Sequence, residues 1–221
     1  MRDGLSARAC AASLLTAALL LALGAQPAVA GPGDFAGSAH DFTAYAWSNG
    51  NPCAVCHDSM YSTPAVTFPA DWDHTLSQAT YMLYSSSSMK QTVGQPGPRS
   101  KLCLSCHDGT VAVDAYGATP TAHQYIISDV NRMGTNLGQA HPIGITYTST
   151  VPSDPSLFDP TKRPVTIGST KTQSGTIASL MLYGGQLECS SCHDVHNKFT
   201  VGNSGLLKLS PASICTTCHN K

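Results

Sequence analysis

The stretch 187–197 reads LECSSCHDVHN, and residues 189–193 inside it form a Cys-x-x-Cys-His unit. The same unit recurs at residues 53–57, 103–107 and 215–219, and we number the four units 1 to 4 in chain order. Two thiols at this spacing can bond to the two vinyl groups along one edge of a porphyrin, while the adjacent histidine is held against the iron. The pattern therefore predicts covalent attachment of four c-type haems.

The cysteine count favours haem attachment over other uses of cysteine. Eight of the nine cysteines lie within the four units. A disulfide framework, a zinc site or a thioredoxin-like redox pair would not require a histidine after every cysteine pair. The predicted thioether cysteines are Cys53, Cys56, Cys103, Cys106, Cys189, Cys192, Cys215 and Cys218. The predicted proximal iron ligands are His57, His107, His193 and His219.

Five further histidines are available as the second, distal ligands of the four irons. His196 follows His193 by three residues, so the two rings lie on the same side of a helical turn and cannot bind opposite faces of one iron. We therefore expect His196 to serve a different haem, which would bring two haems close together. His123 has no supporting sequence context and is expected to be a surface histidine. The predicted distal ligands are His40, His74, His141 and His196.

One distal ligand remains open between two residues. Residues 53–60 match residues 189–196 in register, and Met60 stands where His196 stands. Either Met60 binds an iron, which would raise the reduction potential of that haem, or His74 takes its place. We favour His74. The sequence does not decide which haem each distal histidine serves.

Residues 1–30 are predicted to be a cleaved secretory signal peptide. Arg2 and Arg8 precede an apolar run over 11–23, and Ala28 to Ala30 form the small-x-small pattern that precedes cleavage. The apolar run is shorter than the roughly 20 residues that a membrane-spanning helix needs. We therefore expect export, and no transmembrane segment in the mature chain.

The composition predicts a mostly irregular fold. Only 11% of the residues are charged and 7% are aromatic, while glycine and proline together number 33. Such a chain buries little side-chain area for its length, so we expect coil, short α-helices at the units and few short β-strands, in one domain over 31–221. A helix-permissive segment is expected over 76–84 and a small hairpin over 176–188. No basic run favours a nucleic-acid partner.

Five segments carry a resemblance to a known family: residues 38–42, 101–111, 141–144, 187–197 and 214–221. They resemble the multihaem cytochromes with doubled Cys-x-x-Cys-His motifs, and most of all the tetrahaem cytochromes that polymerise into extracellular cytochrome nanowires. The resemblance implies a tetrahaem cytochrome c fold wrapped around a continuous chain of bis-histidine haems, and a location beyond the outer membrane. It also implies His40, His141 and His196 as distal ligands. Met60 departs from the family, which tends to have histidine there.

The predicted function is electron transfer rather than enzymatic catalysis. Irons with two histidine ligands have no open position for a substrate. We favour an extracellular or cell-surface conduit that self-associates into filaments and exchanges electrons with other redox proteins or extracellular acceptors. His40, nine residues from the predicted new terminus, is predicted to bind a haem of the next subunit in a head-to-tail contact, and a haem of its own chain is the alternative. The alternatives are a soluble periplasmic tetrahaem shuttle and a multihaem oxidoreductase with one open haem.

Overall fold

The structure, a computed structural model, describes residues 32–57, 72–117, 124–126, 128, 130–148, 154–202 and 205–220. Turns and irregular segments predominate in these ranges, with a few short helices and small strands, as the composition predicts. No helix within the described ranges is both long and apolar enough to cross a membrane. The helices are α1 (Pro32–Phe35), α2 (Pro98–His107), α3 (Ile177–Leu180), α4 (Cys189–Cys192), α5 (Pro211–Cys218) and a 3-10 helix (Ala46–Ser48); the strands are β1 (Ile145–Thr146), β2 (Pro164–Ile167), β3 (Gln173–Thr176) and β4 (Gln186–Leu187).

Short helices carry three of the four units. The helices α2 and α5 both begin at a proline, which has no backbone N–H to leave unsatisfied in the first turn, and they end within units 2 and 4. Unit 3 begins with α4, a single turn that Glu188 and Ser191 cap reciprocally. Unit 1 lies in a turn in which the backbone N–H groups of Cys56 and His57 both donate to the Cys53 carbonyl. Each unit is therefore locally folded around its two cysteines.

The helix expected over 76–84 is absent, and this prediction is wrong. The segment is extended because distant groups accept its backbone N–H groups. The N–H of Ser77 donates to Ser105 Oγ at 2.9 Å, and that of Tyr81 donates to Gln95 Oε1 at 3.0 Å. The N–H of Met82 donates to the Thr135 carbonyl at 2.9 Å. These non-local hydrogen bonds override the local helix propensity.

The hairpin expected over 176–188 is also wrong. Residues 177–180 form α3 because the Thr176 hydroxyl accepts a hydrogen bond from the Ser179 N–H and begins a helix at that point. The strands on either side pair elsewhere: β3 is antiparallel to β2, and β4 is antiparallel to β1. Only a tight turn from Tyr183 to Gln186 remains of the expected hairpin, with positive φ angles at both of its glycines.

The hydrophobic interior of the described residues consists of two small clusters. The larger one covers the β2–β3 hairpin and α3, and α5 packs against it through Ile214 and Cys218. The smaller one surrounds Leu104 of α2. Fully buried serines are prominent: Ser48, Ser100, Ser105 and Ser191. Apolar side chains therefore fill little of the volume around the units. The larger cluster packs against α5, and the smaller one contains Leu104 of α2.

Candidate haem sites

The cysteines of consecutive units lie close to one another, in chain order. The Sγ atoms of Cys103 and Cys189 share a hydrogen bond, which is the main reason why the pKa of the Cys103 thiol is raised. Burial raises the pKa of the Cys106 thiol to about 12, and neighbouring Cys56 adds to this rise. Burial also raises the pKa of the Cys218 thiol to about 11, with Cys192 as the next contribution. Unit 1 therefore neighbours unit 2, unit 2 neighbours unit 3, and unit 3 neighbours unit 4, and we call this succession the row.

Three proximal histidines each face one distal candidate. The ring centres of His57 and His196 are 6.3 Å apart with an interplanar angle of 16°. His107 and His40 are 6.0 Å apart at 72°, and His219 and His141 are 6.2 Å apart at 71°. Each pair joins residues far apart in the sequence, so the fold rather than local geometry brings the two rings together.

These separations are those of two imidazoles that share one metal ion. With metal–nitrogen bonds of about 2.0 Å, and about 1.1 Å from each nitrogen to its ring centre, the two centres lie roughly 6.2 Å apart. Direct packing of aromatic rings also covers about 4.5–7 Å. What distinguishes the three pairs is that each contains one unit histidine and one predicted distal histidine. The described residues therefore suit a six-coordinate iron at units 1, 2 and 4.

Backbone carbonyls orient several of the imidazoles. His107 Nδ1 donates to the Asn131 carbonyl at 2.7 Å, and His193 Nδ1 donates to the Gly205 carbonyl at 2.8 Å. His141 Nδ1 donates to the carbonyl of Pro142 at 3.0 Å. In a neutral imidazole, a proton on Nδ1 leaves the lone pair on Nε2, which is then the atom available to iron.

His40 is held in its neutral form. Burial lowers its pKa to about 4, and nearby His107 adds to the effect. Its Nδ1 is buried and has no hydrogen-bond partner in the structure. Neutral imidazole is the form that binds a metal. His40 faces His107 of its own chain, which is the alternative to the predicted contact with a haem of the next subunit.

The structure does not pair His74 with a unit histidine. His74 is buried, its Nδ1 lies 2.8 Å from the Thr75 carbonyl, and its Nε2 lies 3.0 Å from the Ala112 carbonyl. Its Nε2 is also 3.5 Å from Cys106 Sγ, so the ring lies beside unit 2. Among the described rings, His193 has no second imidazole at the axial separation. Met60 and His123 lie outside the described residues.

An apolar slot lies beside unit 3. Its walls include Leu83, Val93, Leu137 and Ile143, and both Cys189 and His141 border it. The slot is far smaller than a haem, so it is not itself a haem cavity. The cysteine and histidine donor set of the units is what fits c-type haem.

A buried carboxylate, which the sequence patterns did not reveal, joins units 2 and 3. Glu188 accepts hydrogen bonds from the Ser100 N–H at 3.0 Å and from the Ser100 hydroxyl. Its side chain also caps α4, while Ser100 Oγ accepts from the Cys189 N–H at 3.0 Å. A Cβ atom at Gly97 would overlap the Glu188 carboxylate, so glycine is required there. These contacts lock α2 against α4 where Cys103 meets Cys189.

We expect Ser100→Ala to destabilise the protein by about 1–3 kcal/mol, because the buried Glu188 carboxylate would lose the hydroxyl donor and the Cys189 N–H would lose its acceptor. The measurement is chemical denaturation of the purified protein. Ser48→Ala is the matched control, since Ser48 is equally buried but its hydroxyl serves only the local turn around Tyr45 and Gly50. Equal decreases in the free energy of unfolding for the two variants would contradict a special role for the contact between Ser100 and Glu188.

Comparison with known proteins supports the haem interpretation over part of the chain. Residues 183–221, which contain units 3 and 4, match the family model of the doubled CXXCH motif. This match supports a multihaem c-type cytochrome with covalently bound haem and a role in electron transfer. No curated protein and no solved structure matches the chain significantly.

Proposed function

We propose that the chain is a tetrahaem c-type cytochrome that transfers electrons along a row of four haems, one attached at each unit. The observation that carries this proposal is the set of three histidine pairs, with ring centres 6.0–6.3 Å apart, at units 1, 2 and 4. We number the haems after their units. The proposed axial ligands are His57 with His196 for haem 1, His107 with His40 for haem 2, and His219 with His141 for haem 4.

Haem 3, bound to His193, takes its second ligand from the remaining candidates. His196 extends from unit 3 to haem 1, and Met60 has the equivalent position after unit 1. If the ligand that follows unit 3 binds haem 1, then Met60, which follows unit 1, would by analogy bind haem 3. His74, our preferred candidate from the sequence, stays a candidate because its ring lies beside unit 2, next to unit 3 in the row.

Each haem, when bound, supplies an iron that gains or loses one electron between its ferric and ferrous states. At units 1, 2 and 4 the paired histidines would bind that iron from two sides and so close it to substrates. Carbonyl acceptors fix ring orientation at units 2 and 3, and burial keeps His40 neutral. The closed coordination favours electron transfer over an oxidoreductase with an open haem.

For the location and assembly, we propose an exported protein that self-associates into filaments at the cell surface. Cys53 of unit 1 and Cys215 of unit 4 are exposed, while the described cysteines between them are partly covered. The cysteines at the two ends of the row are therefore the most accessible to a partner. The resemblance to filament-forming cytochromes supports self-association. The alternative is a periplasmic shuttle with the same haem row and no assembly.

A reductive titration in the presence and absence of carbon monoxide tests the proposed function. We expect four electrons per protein molecule and little spectral change with carbon monoxide, because every iron has two protein ligands. Rapid carbon monoxide binding to a haem of the wild-type protein would instead favour the oxidoreductase. A protein that stays monomeric at high concentration, by light scattering, would favour the shuttle.

A further inference from the structure

The Asp194 carboxylate, directly after unit 3, organises the turn that carries His196. Asp194 Oδ1 accepts a hydrogen bond from the His196 N–H at 3.1 Å. Its Oδ2 accepts from the N–H groups of Lys198 at 3.1 Å and of Phe199 at 2.8 Å. One side chain thus binds three backbone donors within four residues. Such bonds to an ionised acceptor are stronger than those to a neutral one.

The same turn is fixed from two other directions. The Asp194 N–H donates to the Leu206 carbonyl at 2.8 Å, which ties the end of unit 3 to the segment that follows. Asn197 adopts a left-handed φ of 54°, and its amide donates to the Asp34 carbonyl at 2.8 Å. The Phe35 ring lies 6.3 Å from the His196 ring. The turn over 194–199 is therefore fixed at several points, and the His196 ring that it carries lies beside that of His57.

We propose that Asp194 is a positioning residue for the distal ligand of haem 1, although Asp194 follows the unit that attaches haem 3. This inference rests on the proposed function, in which His196 and His57 are the two axial ligands of haem 1. The turn geometry set by Asp194 holds the His196 ring 6.3 Å from that of His57. Without the carboxylate, three backbone donors lose their acceptor and His196 is free to leave the iron.

Asp108, in the same position after unit 2, shows that the position alone does not determine the role. Its carboxylate accepts from the Thr110 N–H at 2.7 Å, from Ser77 Oγ at 2.5 Å and from the Tyr81 hydroxyl at 2.6 Å. These partners tie α2 to the extended segment over 76–84, and the residue three after His107 is Thr110 rather than histidine. Of these two aspartates, Asp194 is the one that binds the backbone of a candidate iron ligand, His196.

The test compares Asp194→Ala with His196→Ala, using the fully haem-loaded protein. We expect both variants to keep the full haem complement by intact mass. Both should show one newly five-coordinate haem per molecule, seen as a high-spin signal in electron paramagnetic resonance and as binding of one carbon monoxide. Asp194→Asn should open this haem in a smaller fraction of molecules than Asp194→Ala, because its amide oxygen can replace only one of the two carboxylate oxygens that accept from the turn. If Asp194→Ala does not accumulate, Asp194→Glu replaces it with the same expectation, because its carboxylate is displaced.

Asp159→Ala is the matched control. Asp159 accepts from the N–H and hydroxyl of Thr161, in a turn that carries no histidine, and its loss should leave all haems low-spin. If His196→Ala opens a haem while Asp194→Ala and Asp194→Glu do not, the positioning role is overturned and the proposed function stands. If His196→Ala leaves every haem low-spin, the ligand assignment in the proposed function fails, and this inference fails with it.

Discussion

Replacing Cys103 and Cys106 together with serine is expected to remove haem 2 and to disturb haems 1 and 3 as well. Unit 2 lies in the middle of the row, where Cys103 contacts Cys189 and Cys106 lies near Cys56. Loss of haem 2 would leave His40 and His107 without the iron between them, and would open an apolar space beside both neighbouring units. Intact mass should show at least one haem fewer, and electron transfer along the remaining row should be interrupted.

The matched control is the double variant Cys215→Ser, Cys218→Ser, at the end of the row. Unit 4 has one neighbouring unit in the row rather than two, so this variant should lose one haem and leave the spectra of the other haems nearly unchanged. The midpoint temperature of thermal unfolding should also fall further for the unit 2 variant than for the unit 4 variant. Equal effects of the two variants on haem content and stability would contradict the linear order of the units.

Replacing His141 with alanine is expected to open the sixth position of haem 4. His141 is far from unit 4 in the sequence, yet its ring centre lies 6.2 Å from that of His219. The variant should keep its haems but bind one carbon monoxide per molecule, and one haem should become high-spin. Absorption and electron paramagnetic resonance spectra measure both changes.

His141→Met is the informative companion variant. Methionine can replace histidine as a distal ligand, so this variant should stay low-spin and the reduction potential of one haem should rise. A His141→Ala protein with four low-spin haems and no carbon monoxide binding would show that His141 is not an iron ligand.

The sequence predicted the parts of the site that depend on local spacing. The four units have their cysteines and histidine within five residues, so a short turn or helix was sufficient to place them. The separation of His193 from His196 predicted that His196 would serve a haem other than that of unit 3, and in the structure its ring lies beside His57 of unit 1. Ligation of an iron by His196 stays a prediction. The mostly irregular character of the described fold followed from the composition.

Long-range contacts were not predictable in this way. The extended segment over 76–84 depends on acceptors such as Ser105 and Gln95, which no periodicity indicates. The buried Glu188 contacts Ser100 across 88 positions, and no motif indicated that this carboxylate would be buried. The pairing of His40 with His107 likewise depends on tertiary structure. Spacing identifies which residues can bind a haem, and only the fold shows which of them meet.

Intact mass spectrometry of the denatured, purified protein tests the central claim most directly. Thioether bonds survive denaturation, whereas a haem held only by iron ligation is lost. We predict one species with the mass of residues 31–221 plus four haems, and no thiol that reacts with an alkylating reagent. A mass with fewer than four haems, accompanied by free thiols or disulfides at any unit, would contradict the account.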